Sequence, residues 1–208
     1  RLVLWCFYLA YGTEDFLGTF HAAAVGKDGG AILMPGGSGV GKSTLTAYLA
    51  ARGWRYGGDD IVGLFRLVGG DRRHVVLPFC SSISVKQGAV AILKDACPGL
   101  ADLPEVFYDT KRARFPAVPH CRHMGSDLGP RRISAIVFPQ FDANARTSLA
   151  PLSTRETLLA LAGIGYRTGE RMDETLLAGM FDFLDGTPAY RLAFSEISQA
   201  EAVLEQLA

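Results

Sequence analysis

The stretch Pro35-Gly36-Gly37-Ser38-Gly39-Val40-Gly41-Lys42-Ser43-Thr44 decides the fold of this chain, because residues 36–43 fit the spacing GxxxxGK[ST] without a gap. Gly36, Gly37, Gly39 and Gly41 permit backbone angles and a close approach that a β-carbon obstructs. Successive N–H groups can therefore turn toward one anion. The flanks agree with this reading. Ala31-Ile32-Leu33-Met34 is a short apolar run ended by Pro35, and residues 43–51 have the pattern of a helix whose free N–H groups and dipole face a phosphate. In such a loop Lys42 reaches the outer phosphates as a point charge, and the Ser43 hydroxyl is placed to ligate Mg²⁺. The rest of the anion cradle is Gly36, Gly37, Ser38, Gly39, Val40, Gly41 and Thr44.

Two further groups flank the loop in sequence. Downstream, the helix ends near Gly53, and Trp54-Arg55-Tyr56 leads through Gly57-Gly58 into Asp59-Asp60-Ile61-Val62. Adjacent carboxylates one helix after a phosphate loop can divide two tasks, one acting through a metal and one facing an acceptor. Upstream, residues 17–25 read as one strand carrying His21, and Lys27-Asp28-Gly29-Gly30 reads as the hairpin turn before the loop strand. A lone histidine is more often structural than catalytic, so His21 acquires meaning only from its neighbours.

The whole chain sets the outer bounds. Its 208 residues suffice for one domain, residues 1–208. It opens without a methionine, so an N-terminus extending upstream is expected. Lys plus Arg and Asp plus Glu are both 21, which gives no long-range electrostatic case for nucleic acid or an anionic membrane. Cys6, Cys80, Cys97 and Cys121 form no CxxC pair, and a reducing, cytoplasmic setting is the simpler expectation. No apolar run reaches transmembrane length.

The remaining segments predict alternating strands and helices. Residues 2–9 read as a strand, 64–68 and 74–77 as a hairpin, and 88–93 as a packed segment with helical character. Lys86, just before it, is a candidate phosphate or substrate contact. Residues 95–130 read as loops and short strands with a basic cluster at Lys111, Arg112 and Arg114. His120, Cys121 and His123 invite a zinc reading, but no fourth ligand stands at useful spacing. Residues 133–139 are a core strand, 151–164 a helix with Ser153 or Thr154 near its start and Glu156 in its first turn, and 171–184 a second helix. The predicted core face of the latter is Met172, Leu176, Leu177, Met180, Phe181 and Leu184. Residues 190–194 read as a strand and 196–207 as a closing helix.

Taken together, His21 before the loop strand, the GxSGxGKS form of residues 36–43 and Gly58-Asp59-Asp60 resemble the HPr kinase/phosphorylase-like superfamily. The closer resemblance is to its HPr-kinase-related branch, found beside peptide-modifying genes. Phe138-Pro139 and Pro188-Ala189-Tyr190-Arg191-Leu192 resemble the same branch. The resemblance implies an α/β P-loop fold like the nucleotide domain of phosphoenolpyruvate carboxykinases, a central mixed sheet with flanking helices. It also implies an ATP- and Mg²⁺-dependent serine kinase. In that pattern Asp59 is the base toward the acceptor serine, Asp60 with Ser43 holds the metal, and His21 supports the first carboxylate. The arginine-containing, glycine-rich loop that serves dephosphorylation in bifunctional relatives has no equivalent in residues 88–102. The implied partner is therefore a peptide or small protein with an acceptor serine, such as a lasso-peptide precursor, and a homo-oligomer is plausible. Lys111, Arg112 and Arg114, or Arg131 and Arg132, are candidates to receive acidic substrate groups or a departing phosphate. A nucleotide hydrolase, a small-molecule kinase and a non-catalytic ATP-sensing scaffold are the alternatives.

Overall fold

The computed structural model describes residues 16–27, 30–67, 73–77, 82–108, 111–116, 122–123, 130–165 and 173–208. The expected opening strand at 2–9, the turn residues Asp28 and Gly29, His120, Cys121 and Met172 lie outside them. The fold is mixed α/β, a central mixed sheet with helices on both faces.

The sheet is built around β3 (Gly30–Pro35), which runs into the glycine loop. On one side β3 pairs antiparallel with β2 (Ala22–Lys27), and β2 pairs antiparallel with β4 (Arg55–Gly58). On the other side β3 pairs in parallel with the long β11 (Arg131–Phe141). The far edge of β11 is shared. Arg131 and Arg132 pair with β6 (Arg73–Leu77), and residues 136–141 pair in parallel with β13 (Ala189–Phe194). β6 continues antiparallel to β5 (Val62–Leu67) and β5 to β1 (Phe16–Phe20). β12 (Ser148–Leu152) extends the other branch beside β13.

Alternation along the central strands explains why both faces are covered. Ala22, Ala24, Ala31 and Leu33 pack on one face with Leu161 of α3 (Thr154–Ile164) and Met180, Phe183 and Leu184 of α4 (Glu174–Gly186). Ala23, Val25, Ile32 and Met34 pack on the other with Leu45 and Leu49 of α1 (Lys42–Ala51) and Ala200 and Leu204 of α5 (Ile197–Leu204). The alternation is interrupted once in β11. Ile133 belongs to the first face and Ala135 to the second, because Ser134 is an extra residue in the register against β3. The Ser134 hydroxyl donates to the Ala31 carbonyl, and a β-carbon at Gly30 would lie 2.9 Å from that of Ser134.

Among the differences from the sequence reading, three bear on the packing. The run 17–25 is two strands, broken at His21, since β1 pairs with β5 while β2 pairs with β3 and β4. The helix expected from 151 begins at Thr154. Pro151 and Leu152 are spent pairing with β13, and Ser153 caps the helix with a full capping box to Glu156. In α4 the buried stripe is Gly179, Met180, Phe183 and Leu184, whereas Leu177 and Phe181 are exposed. One residue step turns a side chain about 100°, which carries both off the stripe.

Residues 87–93 are helical, as α2 (Gln87–Leu93), and close a third apolar cluster with Tyr56, Ile83 and Val85. A small sheet of β7 (Val85–Lys86), β8 (Val106–Tyr108) and β9 (Lys111–Arg114) stands beside it. β10 (Arg122–His123) adds to β4 in parallel. No helix among the described residues is long and apolar enough to cross a membrane.

Candidate active site

The glycine loop joins β3 to α1 and makes one wall of a cleft of about 680 Å³. Gly39 and Gly41 take φ of 95° and 92°, the left-handed region that a side chain disfavours. Gly41 has a second reason to lack a side chain, since a β-carbon there would lie 3.1 Å from Phe141 Cβ and 3.2 Å from Phe194 Cζ. A β-carbon at Gly37 or Gly39 would meet nothing within 4 Å, so the mouth of the loop is open. No side chain caps α1, which leaves the first N–H groups of the helix at the loop without a side-chain acceptor.

His21 is tied to the loop through its backbone, its carbonyl accepting from Gly36 N–H at 3.2 Å. The break between β1 and β2 therefore has a local consequence. It sets the imidazole at the edge of the cleft, where Nε2 lies 3.3 Å from Oδ1 of Asp60.

The two carboxylates after β4 diverge. Asp59 points inward, its side chain 1 % exposed, with Oδ1 3.4 Å from Lys42 Nζ and a hydrogen bond to the Ser43 side chain. Asp60 adopts φ 74°, the only non-glycine residue in the left-handed region among those described. Short polar side chains tolerate that region best, at a cost of about 1–3 kcal/mol. Its carboxylate is 56 % exposed and lines the cleft, with Oδ1 3.5 Å from Lys42 Nζ. Lys42, 4 % exposed, thus stands between both acids. Burial pushes the Asp59 carboxyl above its usual range, opposed by the Lys42 charge and the Ser43 hydrogen bond and assisted by the neighbouring Asp60.

The structure thus brings together His21, Lys42, Ser43, Asp59 and Asp60. Gly37, Ser38, Gly39, Gly41 and Thr44 line the cleft with His21, Lys42, Ser43 and Asp60, whereas Gly36, Val40 and Asp59 lie behind its wall. One expectation is corrected. His21 contacts Asp60 and not the first carboxylate, because Asp59 is turned into the protein against Lys42 and Ser43.

Arg112, Arg114, Arg131 and Arg132, singled out in the sequence, are not among the residues that line the cleft. Arg114 donates to the Leu103 carbonyl, to Gln87 and to Glu105, holding the small sheet together, and Arg112 pairs with Glu105 at the surface. Arg131 and Arg132 begin β11 at the junction with β6. Among the described residues, Lys86 lines the cleft as well as Lys42, and its Nζ donates to Ser38 Oγ at 2.9 Å. Thr19, Phe20, Ile61, Phe141 and Phe194 also line the cleft without having been singled out in the sequence. They sit at strand ends, where only tertiary pairing decides which residue faces a ligand.

Ser43 and Asp59 offer a hydroxyl and a carboxylate side by side, oxygen donors that suit a hard divalent cation. Among the described residues no group of three or more His, Cys, Asp and Glu side chains gathers as an all-protein metal cage. Mg²⁺ in phosphate sites is characteristically held by one or two protein oxygens together with phosphate and water.

No protein-family model and no curated protein matches the chain. Among solved structures it is similar to the HPr(Ser) kinase/phosphatase from Coxiella burnetii, at 18 % sequence identity and a TM-score of 0.39. The likeness covers 91 % of this chain and 92 % of that one.

Proposed function

We propose that the protein is an ATP- and Mg²⁺-dependent kinase that transfers the γ-phosphate to a serine hydroxyl of a peptide or small protein. The observation that carries this reading is the convergence at the open end of the glycine loop. A buried lysine stands between two carboxylates, and the exposed one is held by a histidine.

The residues divide into three tasks. Lys42, the loop N–H groups and the start of α1 receive the phosphates, and Lys86 adds a second cation beside Ser38. Ser43 at the cleft wall and Asp59 just behind it would hold the metal. Mg²⁺ bound there would neutralise charge on the phosphates. Asp60 is the base. It accepts the proton of the acceptor hydroxyl as the serine oxygen bonds to the γ-phosphorus and the bond to the β–γ bridging oxygen breaks, releasing ADP. His21 holds the Asp60 carboxylate in place.

This assigns the two acids in the opposite sense to the family pattern. The burial of Asp59 and the exposure of Asp60 beside His21 support the exchange, since a base must come within hydrogen-bond reach of the incoming hydroxyl. A ribosomally made peptide precursor, the acceptor of the kinases the sequence resembles, is the first substrate to try. Incubation with labelled ATP, Mg²⁺ and serine-containing peptides tests the reading. Phosphoserine formation supports it, and release of inorganic phosphate alone across the peptide set speaks for a hydrolase.

A further inference from the structure

The wall of the cleft opposite the His21–Asp60 pair is aromatic, and none of the transfer chemistry uses it. The sheet order puts it there. His21 and Asp60 adjoin β2 and β4 on one side of β3, while Phe141 ends β11 and Phe194 ends β13 on the other. Phe141 is 42 % exposed, a large apolar ring left open beside a polar loop. Buried Phe194 meets it edge-on, with ring centroids 5.8 Å apart and an interplanar angle of 71°.

The platform is fixed to the loop in the free protein. Phe141 N–H donates to the Val40 carbonyl at 3.0 Å, and Asp142 N–H to the Phe194 carbonyl at 3.0 Å. Gly41 leaves room at the end of the loop for the β-carbon of Phe141 and the ring of Phe194. A phosphate chain whose terminal group lies at Asp60 must leave the loop on the other side, which is where this ring waits.

We infer that Phe141 is the stacking platform for the base of the nucleoside triphosphate, and that the platform does not read the base's exocyclic groups. Phe141, Phe194 and Ile197 carry no side-chain donor or acceptor, and the Ser195 hydroxyl already donates to the Ala145 carbonyl at 2.8 Å. Stacking is tolerant because every base has a π-face, whereas discrimination between bases needs placed hydrogen-bonding groups. The inference rests on the kinase reading and adds the nucleotide specificity of the same cleft.

The test is binding of Mg²⁺-loaded ATP, GTP and inorganic tripolyphosphate to the wild type, Phe141→Ala and Phe141→Trp. In the wild type ATP and GTP bind within about threefold of each other and both more tightly than tripolyphosphate. Phe141→Ala weakens both nucleotides by about fivefold or more, the scale of losing one aromatic–base stack. It leaves tripolyphosphate unchanged, which also reports that the variant is folded. Phe141→Trp retains nucleotide affinity. Equal loss for all three ligands, no loss for any, or a strong preference of the wild type for one purine overturns the inference. ATP binding no better than tripolyphosphate sinks the base platform and leaves the kinase reading standing. If neither binds, the kinase reading itself fails.

Discussion

Nε2 of His21 lies 3.3 Å from Oδ1 of Asp60, a pairing produced by a strand break on one side and a left-handed turn on the other. Both ends are anchored. The His21 carbonyl accepts from Gly36 at the head of the loop, and Asp60 follows directly on buried Asp59. The imidazole is therefore placed to orient one carboxylate at the cleft.

Removing the base without removing its shape should separate chemistry from binding. Asp60→Asn is expected to lower the rate of phosphate transfer by about 10²–10⁴-fold, the usual contribution of a positioned general base. Nucleotide affinity should change little. His21→Gln should lower kcat by less and also alter its pH profile. Initial rates over a pH series, with nucleotide binding measured separately, check both.

Lys42 has a second role, in stability. Its Nζ is 3.4 Å from Asp59 Oδ1 with both side chains almost fully enclosed. Lys42→Met removes the cation beside a buried carboxylate, which costs about 3–5 kcal/mol in comparable sites. The double variant Lys42→Met/Asp59→Asn should recover most of that loss while remaining inactive. Urea denaturation of the two variants decides this.

Acid sensitivity should arise from His74 on β6. Its ring lies 5.3 Å from that of Phe183, hydrogen-bonds to the Gly179 backbone and sits near Asp182 and Arg66. Burial holds its pKa below the ordinary value of 6.5; the Arg66 charge acts in the same sense, and Gly179 and Asp182 oppose it. The unfolded chain then binds a proton that the folded one refuses. Stability from this group is present above pH 6.5 and is lost as pH falls toward the folded value. His74→Phe should flatten the dependence of the melting temperature on pH between neutrality and mild acid.

At the junction of α1, β4 and α5, Glu201 accepts from Trp54 Nε1 at 3.3 Å and from Arg52 Nε at 3.2 Å. Glu201→Ala leaves the buried indole N–H without its acceptor and should destabilise by about 1–3 kcal/mol. Glu201→Gln, which keeps an acceptor oxygen, should cost less. Thermal melts of the two variants test the ordering.

Local order was legible in the sequence and tertiary choice was not. The β3–loop–α1 unit follows from Ala31-Ile32-Leu33-Met34, Pro35 and the glycines, because strand, turn and helix are each specified within a few residues. Glu156 and Ser153 mark the first turn of α3, although the apolar pattern carried the expected helix back to Pro151, which pairs with β13 instead. The break at His21 was hidden because residues 16–27 are apolar on both sides of it, and only partner strands far along the chain divide them. The same holds for the acids. Sequence places Asp59 and Asp60 beside the loop, but which one turns inward depends on the backbone angle at Asp60. Phe141 and Phe194 become neighbours only through the parallel pairing of β11 with β13.

The most direct test of the central claim is mass mapping of serine-containing peptides after incubation with Mg²⁺ and γ-labelled ATP, run for the wild type and Asp60→Asn side by side. The account predicts label on a serine hydroxyl with the wild type, and almost none with Asp60→Asn although both bind the nucleotide. Transfer by Asp60→Asn at the wild-type rate would contradict it.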